Sequence, residues 1–164
     1  MKLERQIRRL RTQLVLALTL SSLLFPARKA HPSTDVSCTV LTIEALNTNQ
    51  GVDRRLSEYA SIFREKPFAT FDTFKLINRQ VYIMPALQPV KLVLPKELDG
   101  SLKLISAEGA QLNLILTLKR AGNPPLEIRG QAKPGSPFFA AGLRSIHGVW
   151  IFGVVCTRGE FVEH

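Results

Sequence analysis

The sequence predicts a mainly β protein, an antiparallel β-sandwich or small barrel of about seven strands with one inserted helix. Short runs rich in Val, Ile, Leu and Thr recur after residue 36, separated by Gly, Pro and Asn. Residues 111 to 119 alternate apolar with polar side chains, and Phe74, Leu76, Tyr82 and Met84 recur at even positions of another run, the period of a strand. Only one window, just after Gly51, has apolar residues at helical spacing.

Residues 37 to 46 are β-branched, apolar and too short for a stable helix, so they read as the first strand, ended by the Asn47-to-Gly51 turn. Asp53 then caps a helix in which Val52, Leu56, Tyr59, Ala60 and Phe63 share one side, and Pro67 stops it. Its apolar side must lie on the strands. Phe74, Leu76, Tyr82 and Met84 mark a long second strand, and residues 90 to 94, 102 to 105 and 111 to 119 mark three more. Glu108-Gly109 is short enough to close a hairpin. Residues 126 to 130 form a short strand behind the Gly122-to-Pro125 turn, and residues 130 to 142 read as a loop. The final strand, residues 146 to 156, carries His147, Val149, Ile151 and Val155 on one face and Trp150, Phe152, Val154 and Cys156 on the other. A strand apolar on both faces belongs inside a layered sheet.

Residues 1 to 30 read as a signal peptide or signal anchor, 31 to 36 as a linker and 37 to 164 as a single β-rich domain. Lys2, Arg5, Arg8, Arg9 and Arg11 face a lone acid, Glu4, before a twelve-residue apolar run that Pro26 breaks. A membrane-spanning helix needs about 20 such residues, which favours a cleaved signal. Neither Ala27 nor Ala30 completes a small-x-small cleavage pattern, so an inner-membrane anchor formed by residues 14 to 25 stays open, as does a basic amphipathic start in the cytosol. The expected location is periplasmic or secreted.

The net charge of +9 is concentrated at the start. Seven of 22 Lys and Arg and one of 13 Asp and Glu fall in residues 1 to 30, leaving fifteen against twelve. The body is mildly basic, without a cationic stripe interleaved with aromatics, and nucleic-acid binding is not expected. Cys38 and Cys156 form an even, minimal pair, expected as one disulfide in an oxidising compartment, with two buried thiols as the alternative.

The chemistry-bearing residues are sparse. His31 lies in the linker and His164 ends the sequence, leaving His147 as the one histidine for a Cys-His dyad with Cys156. Nine residues apart on a regular strand, the two point to opposite faces, so a dyad needs a bulge, which Gly148 or Gly153 could supply. There is no Cys-x-x-Cys or His-Glu-x-x-His, and Gly148-Val-Trp-Ile-Phe-Gly153 lacks the Lys-Ser/Thr of a phosphate loop. No enzyme activity, metal or cofactor is expected. Phe138 and Phe139, adjacent in the presumed loop, together with Arg144, are the candidate binding residues, because neighbouring side chains of an extended chain point opposite ways.

The Gly51-Val52-Asp53-Arg54-Arg55-Leu56 opening of the helix, Pro67-Phe68, Phe74-Lys75-Leu76, Val90 to Pro95, and the glycine-rich approach to an apolar last strand resemble a family of small, exported, uncharacterised envelope proteins common in myxobacteria-like genomes. The likeness runs over about residues 40 to 155, departing at Pro95 to Gly100, where a tighter Pro-Asn-Gly turn is expected. It implies export and a β-rich fold and transfers no activity or site residue. The expected function is a non-catalytic exported envelope domain that binds a protein or glycan, or an accessory subunit of a surface or secretion assembly. The alternative is a small periplasmic hydrolase using His147.

Overall fold

The computed structural model describes residues 36 to 159. The basic and apolar opening, with the signal expectation and residues 31 to 35 of the expected linker, lies outside the described residues, and Val36 already belongs to the first strand. The fold is mainly β: nine strands in two sheets, plus short helical turns. The strands are β1 (Val36–Leu46), β2 (Gly51–Val52), β3 (Thr73–Met84), β4 (Pro89–Lys91), β5 (Leu98–Glu108), β6 (Gln111–Arg120), β7 (Leu126–Ala132), β8 (Pro137–Arg144) and β9 (Val149–Arg158). Sheet A runs β2-β3-β1-β9-β8 and sheet B runs β4-β5-β6-β7. The pairings are antiparallel except the two-residue β2–β3 contact and an isolated parallel bridge between Ala86 and Leu104.

Period-two alternation builds the principal core. Val36, Cys38 and Val40 of β1 and Trp150, Phe152, Val154 and Cys156 of β9 face sheet B, which returns Leu102, Leu104, Leu112, Leu114, Leu116 and Leu118. The other face of sheet A is apolar too. Leu41, Ile43, Ala45 and Ile151 pack there against Leu56, Phe63 and Phe68 from the segment between β2 and β3. The molecule is therefore layered as helical segment, sheet A, sheet B, which explains why β1 and β9 are apolar on both sides.

The inserted helix is where the periodicity puts it, but it is tighter than expected: a 3-10 helix, Arg54–Tyr59, then one turn of α-helix, α1 (Ala60–Phe63). Asp53 caps it, accepting from the Arg55 N–H at 2.9 Å and from the Arg55 guanidinium at 2.7 Å. Its backbone N–H donates to the Phe74 carbonyl at 2.9 Å, tying the cap to β3. At the other end of the segment, Asp72 accepts from the N–H groups of Thr48 and Asn49 and from the Thr73 hydroxyl, fixing the turn after β1.

Hydrogen bonding with Arg55, side chain first, holds the Asp53 carboxyl well below the usual range. The Thr73 hydroxyl, then the Asn49 N–H, lowers that of Asp72. A carboxyl that titrates lower when folded stabilises fully above its unfolded pKa, about 3.9, and that contribution disappears as pH falls through the folded value. The Asp53→Asn/Asp72→Asn variant is therefore expected to lose stability less steeply than the parent below about pH 4, measured by urea unfolding across pH. Parallel acid limbs would contradict this.

Two strands change face part-way. Thr42 pairs with Asn78 and Ile43 with Leu76, leaving Ile77 as a bulge. Phe74 and Leu76 consequently face the helical segment, whereas Tyr82 and Met84 face sheet B, although all four share even numbering. In β5, Leu104 pairs with Leu114 and Ser106 with Asn113, so Ile105 is bulged and part-exposed.

Several expectations are corrected. Residues 137 to 144 form β8 rather than a loop; the turn is confined to residues 133 to 136. The strand expected over residues 90 to 94 is paired only through Lys91, after which the Val93 backbone is held by the Asn78 amide and the Tyr82 hydroxyl at 2.9 and 2.8 Å. The last strand starts at Val149, and Ile146 and His147 belong to the turn before it. Gly148 has no room for a side chain: a Cβ there would collide with the Ala45 carbonyl of β1.

Candidate functional site

Cys38 and Cys156 are directly opposite each other on the neighbouring strands β1 and β9 and are joined by a disulfide, with both residues fully buried. The first and last strands are thus side by side and covalently closed over a separation of 118 residues. A disulfide persists in an oxidising environment, which fits an exported chain. Among the described residues no helix is long and apolar enough to cross a membrane.

His147 is exposed in the β8–β9 turn, where its backbone N–H and that of Gly148 donate to the Ser145 hydroxyl at 3.3 and 2.8 Å. Cys156, tied to Cys38, supplies no thiolate. Gly153 introduces no bulge between them, since the β1–β9 register is unbroken from Val36 to Ala45. Among the described residues no three His, Cys, Asp or Glu side chains converge into a cluster able to hold a metal ion.

Phe138 and Phe139 point to opposite faces, as an extended chain requires, and each covers a glycine. The Phe138 ring lies over Gly130 of β7 in the inter-sheet core, where a Cβ would come within 2.9 Å of the ring. The Phe139 ring lies over its cross-strand partner Gly153, at 2.6 Å from an added Cβ, and meets Tyr59, Phe63 and Phe68 edge-on at 5.3 to 6.2 Å. Both rings pack on the sheet and stay half-buried. Arg144 is exposed at the end of β8, and its carbonyl accepts from Arg120 at 3.0 Å. The three residues do not form one surface.

A different surface has the shape of a binding site. On sheet B, burial of Leu112, Leu114, Leu116 and Leu118 turns Asn113, Ile115, Thr117 and Lys119 of β6 outward. A hollow of about 570 Å³ lies on this outer face, lined by Ile105, Asn113, Ile115, Arg129 and Gln131. A second, of about 320 Å³, adjoins Lys91, Ser101, Thr117 and Lys119. Register places Lys103, Ile115 and Arg129 in one row across β5, β6 and β7, and Lys91, Ser101, Thr117 and Glu127 in the next. The Ile105 bulge feeds an apolar side chain into the first hollow, and the Asn113 amide donates to Ser106 at 2.7 Å beside it. Lys91 pairs with Asp99 at 3.6 Å, both largely exposed, an attraction worth little in water.

Sequence reasoning missed this face because its residues, taken singly, look like any solvated side of a strand. The usable signal was the pair of large odd-numbered apolar residues, Ile105 and Ile115, on strands whose other odd positions are polar or, at Ala107, small. No family model, curated protein or solved structure matches the chain.

Proposed function

We propose that this chain is a non-catalytic, exported envelope domain that binds a protein or glycan through the outer face of sheet B. The observation that carries the reading is the 570 Å³ hollow on that face, where two isoleucines sit among amide and guanidinium groups. An apolar floor with a few polar groups around it, at this size, is the general form of a ligand site. The supporting sheet is rigidly built, with four leucines of β6 buried beneath the surface residues. The disulfide suits an oxidising compartment.

Hydrogen exchange of the full chain with and without a soluble envelope extract tests the reading. Added protection is expected in β5, β6 and β7, and Ile105→Ser, at the exposed bulge that lines the hollow, should reduce it with only a small change in melting temperature. Protection confined to other strands, or none, overturns the assignment.

The second reading, an accessory subunit docking on a protein of its assembly, is favoured by Val81 and Ile83 on β3, 64% and 60% exposed on the part of sheet A that the helical segment leaves uncovered.

A further inference from the structure

We infer that the ligand of the sheet B face is an acidic saccharide chain; this rests on the binding role proposed for that face. The lining of both hollows contains no aromatic ring, so a neutral sugar finds no platform to stack on. Charge is what the face offers instead. Lys91, Lys103, Lys119 and Arg129 stand there against Asp99, Glu108 and Glu127, with Asp99 paired with Lys91 and Glu108 at the far end of the β5–β6 hairpin.

The arrangement of the cations sets the spacing a ligand must match. Lys103 and Arg129 occupy the same row on either side of Ile115, two strands apart, which is roughly 10 Å at the normal strand separation. That is close to the length of a disaccharide, so a chain with a carboxylate on every second sugar meets both cations. Its intervening sugar would lie over Ile115, whose aliphatic surface suits the apolar side of a pyranose ring. Asn113 and Gln131, in the adjoining row, present amides that both donate to and accept from hydroxyl groups. An arginine at one end adds a planar fork matched to a carboxylate. Glu127, two residues from Arg129 on the same face, opposes an anion that strays from this register.

The test titrates the full chain by calorimetry with a hexasaccharide of alternating glucuronate and N-acetylglucosamine. The comparison ligand is the same hexasaccharide with its carboxylates reduced to alcohols. The acidic ligand is expected to bind at least tenfold more tightly, to weaken as salt is raised from 0.05 to about 0.5 M, and to lose roughly tenfold in affinity in Lys103→Gln/Arg129→Gln. Equal binding of both ligands, with hydrogen-exchange protection on β5 to β7, overturns the charge inference and leaves the binding face standing. Binding of neither overturns the inference, and protection by the envelope extract then judges the face independently. Binding of the acidic ligand that the double substitution leaves unchanged places it elsewhere and overturns the inference, the face again being judged by the extract.

Discussion

Cys38→Ala/Cys156→Ala is expected to lose about 4 to 5 kcal/mol of unfolding free energy, the loop-entropy value for a closure of this length. The bond joins residues 118 apart, so it restrains almost the whole described domain in its unfolded state. Without it, β1 must find β9 through an open chain of more than a hundred residues. Alanine is the right replacement, since both sites are fully buried and a serine hydroxyl there would be left without a partner. A reduced chain exposes more surface on unfolding, so the guanidinium slope should rise as the midpoint falls. The parent protein, treated with reductant in native buffer, should keep its mass, because neither sulfur is accessible; after denaturation it should gain two hydrogens. A loss below about 1 kcal/mol with an unchanged slope would mean that the unfolded chain is not appreciably restrained by the bond.

The layered β fold was legible because burial in strands leaves a period-two record. The apolar residues on both faces of β9 foretold its interior place in sheet A, and the even cysteine count foretold the staple. The face changes in β3 and β5 were not legible, because a bulge adds one residue without leaving any mark of composition, as Ile77 and Ile105 show. Strand β8 was hidden for another reason. Pro137 and Gly142 look like loop residues, but β8 is an edge strand, where a proline at the first position interrupts no ladder. Once β8 is a strand, Phe138 and Phe139 acquire glycines to cover, one ring on each side of the sheet. The outer face of sheet B could not be assembled from sequence, since it depends on the register that brings Lys103, Ile115 and Arg129 into one row.

Phe63→Ala is expected to cost about 3 to 5 kcal/mol, the range for removing a buried phenyl ring. Phe63 is 2% exposed, stacks on Phe74 with centroids 4.4 Å apart, and meets Phe68 and Phe139 edge-on at 6.1 and 5.4 Å. One turn of α-helix cannot hold itself in water, so the segment from Asp53 to Phe71 stays in place through these rings and through Leu56. Phe63→Ala and Phe139→Ala should therefore be non-additive, with a coupling of about 0.5 to 1.5 kcal/mol, whereas Ile146→Ser, at 79% exposure, should change stability by less than about 0.5 kcal/mol. Hydrogen exchange distinguishes two ways in which the variant could fail. If protection collapses over residues 53 to 72 while β5 to β7 remain protected, the helical segment is a separable layer. Ligand binding on the outer face of sheet B should then survive, because sheet A stands between the two surfaces. If all strands lose protection together, sheet A depends on its helical cover as much as on sheet B, and the proposed binding face would be lost with it.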